Sequence, residues 1–262
     1  MSETPRILIV DDEQPVCRSI ASALEGQQGE IVTALSGEEA LEKDQENPHD
    51  IIVADLMMPG ISGMDLLKTV RERRPDTVFI MITGYPSIHT AVQAVKLGAF
   101  DYVTKPFTPD EIRSTISRAL ERKKILAEEL SGAASGYPEV SIPDGTHVIP
   151  GNSWVRESGD GNAHVGVHHM LLRTIGKIAS VEFPGVDEKK TQGDSCLWII
   201  DEQKRIHRVW CPATGRVVAV NTELEKDISK LLNDPYRSGW ILLIAPADLE
   251  KDLENLKNWG GF

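Results

Sequence analysis

Apolar runs and amphipathic stretches alternate along residues 6–127. The apolar runs are short, rich in Ile, Val and Leu, and lie at 6–13, 30–34, 50–60, 77–84 and 100–104. Strands with a near-continuous apolar pattern are covered by helices on both faces, as in a parallel sheet. The stretches between the runs carry apolar residues at helical spacing, for example at 15–25, 63–73 and 87–97. The alternation predicts an α/β domain with a doubly wound parallel sheet.

One further helix and a break in the pattern end this domain. Thr108 as N-cap, Pro109 at the first helical position and Glu111 three residues after the cap predict the helix start. The helical pattern continues to about residue 130, and the Gly- and Ser-containing segment 131–145 then predicts a linker and a leading loop. We therefore expect one domain at 1–127, a helix extension and linker at 128–140, and a second domain at 141–262.

The pattern beyond the linker is that of a small, mainly β domain. Short apolar runs are separated by Gly, Pro and Asp, and they read HVGV, IASVEF, CLWII, GRVVAV and WILLIA. Such runs between turn residues predict short strands. A helical segment is expected at 222–233, and a final polar helix near 247–258.

The charge of the chain argues against nucleic-acid binding. The net charge is −12 and is divided equally, at about −6, between the residues up to 127 and the remainder. Neither half has the basic excess with which proteins neutralise phosphates. No apolar run approaches the length of a membrane span, the N-terminus does not resemble a signal peptide, and the three cysteines are an odd number. We expect a cytoplasmic protein with reduced thiols and no membrane partner.

Five polar residues stand at the predicted strand ends of the first domain. They are Asp11, Asp12, Asp55, Thr83 and Lys105. In an open parallel sheet the carboxyl ends of the strands meet at one edge, where ligands bind. Converging carboxylates would repel one another, and a Mg²⁺ ion resolves this because it prefers oxygen ligands. The set predicts a magnesium site that can offer a carboxylate as nucleophile, with a lysine for phosphoryl oxygens.

Residues 6–127 resemble the receiver domain of two-component response regulators, which has a flavodoxin-like (βα)5 fold. The resemblance covers the whole segment and rests on DD at 11–12, DLMMPGISG at 55–63, the threonine ending the fourth strand, and KPF at 105–107. It implies that Asp55 is the phosphoacceptor and that a sensor histidine kinase is the partner. A receiver is a signalling module that catalyses its own phosphoryl transfer and dephosphorylation.

The same resemblance assigns roles to individual residues. Asp12, the Asp55 carboxylate and the Met57 backbone carbonyl would bind Mg²⁺, and Asp11 would belong to the same acidic pocket. Lys105 would contact the phosphoryl group. Thr83 and Tyr102 would form the switch pair, in which a hydroxyl moves toward the phosphate and an aromatic ring changes rotamer.

In the second half, CLWIIDEQKRIHRVWCP predicts a hairpin with a polar tip. If Gln203 and Lys204 form a two-residue turn, Leu197 faces Trp210 and Trp198 faces Val209. Lys204 would then project from the tip into solvent. An exposed lysine at a turn is common and by itself indicates no function.

Residues from about 140 to 262 resemble the lipoyl-carrying H-protein of the glycine cleavage system, and more loosely other lipoyl domains. The resemblance rests on HVGV at 164–167, IGKIASVEFPGVD at 175–187, CPATGRVVAVN at 211–221 and LLNDPYRSGWILLI at 231–244. It implies a β sandwich or flattened barrel with short helices, with lipoate on Lys204 and a lipoate ligase or transferase and lipoyl-dependent enzymes as partners. The family's glutamate three residues before this lysine is Asp201 here, and Arg205 replaces a small neighbour.

The predicted hairpin register also places Cys196 opposite Cys211. We take a reversible thiol pair at these positions as a hypothesis, to be tested by counting free thiols under mild oxidation. Two buried, inert thiols are the alternative. His164, His168 and His169 lie close together in the sequence without a ligand pattern, and we expect them at the surface.

The leading hypothesis from the sequence is a signalling protein. Phosphorylation of Asp55 would act through the helix from 109 to about 130 on the second domain, by exposing or covering Lys204 or by changing dimerisation through the receiver. Two alternatives stay open: a lipoyl carrier of a redox or one-carbon pathway with a regulatory receiver, and a protein-interaction domain that carries no lipoate.

Overall fold

The computed structural model describes residues 4–26, 29–84, 88–130, 140–254 and 256–258. The chain divides into two compact units, Met1–Gly136 and Tyr137–Phe262, and each is described by itself. The division lies within the segment expected to be the linker. No helix in the described part of the chain has both the length and the apolar character needed to cross a membrane.

The first unit contains the predicted alternation of strands and helices. Its strands are β1 Arg6–Val10, β2 Glu30–Ala34, β3 Ile51–Asp55, β4 Val78–Thr83 and β5 Asp101–Thr104. Its helices are α1 Gln14–Ala23, α2 Gly37–Glu46, α3 Gly63–Arg73, α4 Ile88–Lys96 and α5 Pro109–Leu130. The strands form one parallel sheet in the order β2-β1-β3-β4-β5, which confirms the doubly wound prediction.

The start of α5 shows why the local sequence folds as predicted. The Thr108 backbone N–H donates to the Glu111 carboxylate at 2.8 Å, and the Glu111 N–H donates back to the Thr108 hydroxyl at 3.2 Å. This reciprocal capping satisfies two N–H groups that would otherwise lack partners at a helix end. The buried residues Ile112, Ile116 and Ala119 of α5 then pack on the core beneath the sheet.

The second unit is built from short strands. They are β6 His147–Ile149, β7 Ser153–Glu157, β8 Ala163–Val167, β9 Ile178–Glu182, β10 Lys189–Lys190, β11 Ser195–Asp201, β12 Ile206–Trp210, β13 Gly215–Val220, β14 Trp240–Pro246 and β15 Lys257–Asn258. A seven-stranded sheet has the order β10-β13-β14-β8-β7-β6-β15, and β12-β11-β9 form a three-stranded sheet. The pairs within both sheets are antiparallel, so the unit is a curled antiparallel structure, consistent with the H-protein-like expectation.

The helices of this unit are short and correct two predictions. They are α6 His169–Ile175, α7 Glu223–Lys226, α8 Ser229–Asn233 and α9 Leu249–Glu254. The single helix expected at 222–233 is divided in two, because the Asp227 side chain accepts hydrogen bonds from the Ser229 N–H and hydroxyl and starts a second helix. The final helix is shorter than expected, since Lys257–Asn258 form a strand with β6.

Two glycines of the second unit are required by close packing. A Cβ atom on Gly166 would overlap the indole ring of Trp154, which is fully buried across the β7–β8 pair. A Cβ atom on Gly215 would overlap the Ala245 carbonyl oxygen on the neighbouring strand β14. Gly166 belongs to the HVGV segment and Gly215 to the CPATGRVVAVN segment, so the glycines of both segments have a steric cause.

Candidate functional site

The strand ends of the first unit bring the predicted acidic residues together. Asp11 and Asp12 follow β1, Asp55 is the last residue of β3, Thr83 ends β4, and Lys105 follows β5. Carboxylate oxygens of the three aspartates lie within 4.8 Å of one another. The Lys105 Nζ atom lies 2.7 Å from Asp11 Oδ2 and 2.9 Å from Asp55 Oδ2. The five residues therefore occupy one edge of the sheet, as the sequence predicted.

Burial sets the electrostatics of this pocket. Asp11 and Asp55 are buried, whereas Asp12 is exposed. Burial raises the pKa of Asp11, although the hydrogen bonds from Lys105 and the Glu13 N–H act in the opposite direction. Burial alone would lower the pKa of Lys105, but its hydrogen bonds to Asp11 and Asp55 outweigh this effect and the pKa is raised. One charged lysine thus faces three carboxylates, an excess of negative charge that favours a cation.

The loop after Asp55 is fixed by the glycine that begins α3. A Cβ atom on Gly63 would overlap the Asp55 carbonyl oxygen, so the helix can start close to the phosphoacceptor candidate only with glycine there. The Met57 N–H points toward Asp55 Oδ1 at 3.4 Å, and the Met57 side chain is 60% exposed. The Met57 backbone therefore lies beside the Asp55 carboxylate, where the sequence placed a metal ligand.

Thr83 and Tyr102 lie on neighbouring strands, and both are buried. The Tyr102 hydroxyl lies 3.1 Å from the Thr90 hydroxyl on α4. The sequence does not predict this contact, because the spacing around Thr90 does not indicate which turn of α4 faces the sheet. This hydrogen bond links the Tyr102 side chain on β5 to α4.

The hairpin carrying Lys204 differs from the predicted register by one residue. Leu197 pairs with Val209 and Trp198 with Arg208, so the loop has three residues, 202–204, instead of two. Lys204 adopts a left-handed backbone conformation with φ of 62°, and its N–H donates to the Asp201 carbonyl at 2.9 Å. A turn followed by a left-handed residue is the usual three-residue hairpin loop. Lys204 is exposed at the tip, as expected.

Asp201 explains the longer loop. Its side chain is fully buried, and its Oδ1 accepts the N–H groups of Gln203 and Arg205, both at 2.9 Å. Its Oδ2 lies 2.6 Å from the Arg205 Nε and 3.0 Å from the His207 Nε2. Burial alone would raise the pKa of Asp201, but these hydrogen bonds lower it. These contacts of the buried Asp201 side chain therefore hold the loop at the hairpin tip. In the sequence, an aspartate at the end of a strand and before a polar loop indicates a turn of this kind.

Replacing Asp201 with asparagine is expected to loosen the hairpin tip. An amide cannot serve four donors, so we expect hydrogen exchange of residues 202–205 to become about ten to a hundred times faster. Hydrogen exchange by mass spectrometry measures this increase in rate. The pKa of Asp201 in the folded protein lies below the unfolded value of 3.8. The stabilisation of the tip by the Asp201 carboxylate is therefore fully present above pH 3.8 and is lost as the pH falls through the folded pKa. Glu202→Gln, at an exposed neighbour in the same loop, should exchange like the wild type; equal exchange in the Asp201 variant would contradict this role.

Cys196 and Cys211 lie together despite the shifted register. Cys196 sits at an irregularity of β11, and Cys211 follows β12, where its N–H donates to the Asp194 carbonyl at 2.7 Å. Both are buried free thiols. Burial and the neighbouring Cys211 thiol raise the pKa of Cys196 well above its usual value, so it stays protonated and weakly nucleophilic. The reversible thiol pair stays a prediction. The third cysteine, Cys17 on α1, is buried in the first unit.

The histidine cluster corrects one expectation. His168 is 2% exposed, stacks on His169 with ring centroids 4.5 Å apart, and accepts a hydrogen bond from the Met170 N–H at 3.2 Å. It is therefore the N-cap of α6 instead of a surface residue. His164 is half-buried, and its ring meets the edge of Trp240.

Two family models match the chain, one in each half. Residues 7–117 match the family model of the response regulator receiver domain. Residues 147–259 match the family model of the glycine cleavage H-protein. The two matches do not overlap, and they follow the two compact units.

Individual relatives match the first unit. Regulatory protein AtoC of Escherichia coli is 38% identical over 128 residues, covering 49% of this chain and 28% of AtoC. The alkaline phosphatase synthesis transcriptional regulatory protein PhoP of Bacillus subtilis is 35% identical over 122 residues, covering 47% of this chain and 51% of PhoP. The chain thus spans about a quarter to a half of the length of these relatives. A receiver domain protein of Clostridium thermocellum is similar in structure, with 36% identity, a TM-score of 0.44, and coverage of 47% of this chain and 98% of that one.

Proposed function

The chain joins a response regulator receiver domain to a glycine cleavage H-protein domain, and from this we propose that phosphorylation of Asp55 regulates a lipoyl-type output domain. The observation that carries the first part is the position of Lys105, whose amine contacts both Asp11 and Asp55. The second part rests on the exposed position of Lys204 at a hairpin tip that Asp201 holds in place.

The proposed reaction is phosphoryl transfer to a carboxylate. An Asp55 oxygen attacks the phosphorus of a phosphohistidine on a sensor histidine kinase; a P–O bond forms, the P–N bond breaks, and the histidine nitrogen keeps the electron pair and takes a proton. Lys105 can move from the carboxylates to the phosphoryl oxygens, where its charge stabilises the transition state. Hydrolysis of the resulting acyl phosphate by water returns the carboxylate and inorganic phosphate.

Three groups fit a bound Mg²⁺ ion. Asp12 and Asp55 offer carboxylate oxygens and Met57 a backbone carbonyl, all hard ligands of the type that Mg²⁺ prefers, with Asp11 in the same cluster. When bound, the ion would neutralise charge on the phosphoryl oxygens and on the aspartates. The exposure of Asp12 leaves one side of the cluster open to the donor.

The signal would pass through Thr83 and Tyr102. A phosphoryl group on Asp55 supplies new acceptor oxygens for the Thr83 hydroxyl. Movement of Thr83 frees space that the Tyr102 ring can enter, at the cost of its hydrogen bond to Thr90. The face formed by α4, β5 and α5 would change and could act on the second domain through α5 or through dimerisation of the receiver.

The second domain would carry lipoate on Lys204. A lipoate ligase or transferase would join the Lys204 amine to the lipoate carboxyl group by an amide bond, and the arm would carry an acyl or aminomethyl group, or electrons, between other enzymes. An unmodified protein-interaction domain is the competing function. One observation favours it: Asp201, the acidic residue three positions before the lysine, is buried and is not on the surface for an enzyme to bind.

The magnesium requirement tests the phosphoacceptor proposal. The full chain, incubated with a small phosphodonor such as acetyl phosphate and Mg²⁺, is expected to gain one phosphoryl group by intact-mass spectrometry. Chelating the metal with EDTA should reduce the labelling rate at least about a hundredfold, because three carboxylates with only Lys105 to offset their charge then face the anionic donor. Labelling at the same rate with EDTA would contradict a metal-assisted site.

A further inference from the structure

A cleft lies in the second unit, and Lys204 is not among the residues that line it in the described part of the chain. It has a volume of about 380 Å³ and lies between α6 and α8. His169, Leu172, Arg173, Lys177 and Leu232 are among the residues that line it. This volume lies within the range of small-molecule binding sites in proteins.

The charge of the cleft is opposite to that of the chain. Arg173 and Lys177 are cationic and His169 can become so, while the lining residues in the described part of the chain include no carboxylate. Outside the cleft, the Glu202 carboxylate lies 3.9 Å from the Lys177 amine, and the Glu202 side chain is 54% exposed. Basic residues gathered in one cleft of a chain with a net charge of −12 favour an anionic ligand.

The other side of the cleft is apolar. Leu172 is almost fully buried and forms part of the wall, whereas Leu232 of α8 is 40% exposed. Contact with a ligand would remove the exposed Leu232 surface from water, which is favourable. The ligand should therefore combine a negative charge with an aliphatic part.

Two side chains and one backbone carbonyl of the cleft have contacts within the unit. The His169 Nδ1 lies 2.8 Å from the buried Tyr236 hydroxyl, and the Arg173 Nη1 lies 3.9 Å from the Met170 sulfur. The Lys177 carbonyl accepts the Glu202 N–H at 3.1 Å, which fixes the rim of the cleft to the hairpin loop.

We propose that this cleft binds a small monocarboxylate with a short aliphatic chain. The carboxylate would lie against Arg173 and Lys177, and the aliphatic chain against Leu172 and Leu232. Arginine suits this role because its guanidinium is always charged and can donate two parallel hydrogen bonds to a carboxylate. The inference goes beyond the proposed function, since it requires neither phosphorylation of Asp55 nor modification of Lys204.

Calorimetric titration of the full chain, produced without lipoate, tests the proposal. We expect hexanoate and octanoate to bind more tightly than butyrate, by up to about fourfold for each methylene that becomes buried. Hexylamine and hexanol, which match hexanoate in length, should bind at least about tenfold more weakly. Equal binding of the acid and the amine, or no binding of any acid at millimolar concentration, would overturn the proposal.

Variants locate the site within the protein. Arg173→Gln should weaken hexanoate binding about tenfold, and Leu232→Glu, which adds a carboxylate at an exposed position, should abolish it. Lys177→Gln changes a side chain that is 81% exposed, so it keeps the fold and should weaken binding about threefold. Arg216→Gln, at a half-exposed arginine on β13 outside the cleft, should bind like the wild type. Wild-type affinity in the Leu232 and Lys177 variants would place the ligand elsewhere and refute the assignment.

Discussion

Replacing Asp55 with asparagine is expected to abolish phosphorylation of the chain. The amide oxygen of asparagine carries no negative charge and cannot form a stable acyl phosphate, whereas the Asp55 carboxylate lies 2.9 Å from the lysine that would receive the phosphoryl oxygens. We expect the labelled fraction, measured by intact mass after treatment with acetyl phosphate and Mg²⁺, to fall to background.

The variant should lose labelling without losing the fold. Three carboxylates share the pocket with one lysine, so removing one negative charge relieves repulsion while Asp11 keeps its contact with Lys105. We expect the free energy of unfolding to change by about 1 kcal/mol or less. Asp110→Asn, at an aspartate whose side chain is 83% exposed in the same domain, is the matched control and should label like the wild type. Undiminished labelling of the Asp55 variant would show that another residue is the phosphoacceptor.

Replacing Lys204 with arginine is expected to remove lipoylation entirely. The full chain would be produced together with a lipoate ligase and lipoate, and the lipoyl group read from the intact mass. Arginine keeps the positive charge at the tip, but its guanidinium is not a primary amine and does not form the amide. The left-handed backbone at this position, with φ of 62°, suits the two residues equally, so the loop should be retained.

The control for this experiment is Lys177→Arg. Lys177 is 81% exposed and its carbonyl binds Glu202 of the same hairpin loop, so it tests whether any exposed lysine near the tip is modified. We expect this variant to carry one lipoyl group, like the wild type. A wild-type chain without the lipoyl mass, in a host with a competent ligase, would refute the carrier proposal and favour an unmodified interaction domain.

The acidic pocket could be predicted from sequence because it depends on little more than strand order. A parallel sheet brings Asp11, Asp55 and Lys105 to one edge once the alternation of strands and helices is recognised. The capped start of α5 at Thr108 was equally local, since the capping residues are three positions apart. The order of the parallel strands determines the pocket, whereas a short segment of sequence determines the helix start.

The hairpin tip could not be predicted in the same way. A two-residue turn was the simplest register, but the Asp201 side chain replaces backbone partners at the tip and stabilises a three-residue loop. That choice depends on His207 and Arg205 meeting the same buried carboxylate, which requires the folded hairpin. Lys204 is therefore the last residue of a three-residue loop and has a left-handed backbone conformation. It does not form a two-residue turn with Gln203.

Contacts between segments that are distant in the sequence could not be predicted either. The His49 ring and the Arg74 guanidinium both bind the Asp44 carboxylate, at 3.1 and 3.3 Å, although Arg74 is thirty positions away. The Tyr102–Thr90 hydrogen bond and the cleft beside Arg173 also depend on how a helix packs against its neighbours. Spacing along the chain does not reveal which side chains will meet when helices pack.

We propose that phosphorylation of Asp55 acts on the domain that carries Lys204. Hydrogen exchange of the segment 195–210, measured by mass spectrometry in the full chain with Mg²⁺ before and after treatment with acetyl phosphate, tests it most directly. We predict that phosphorylation changes exchange at this hairpin at least about fivefold in the wild type and leaves Asp55→Asn unchanged. Identical exchange in the phosphorylated and unphosphorylated wild-type chain would contradict the claim.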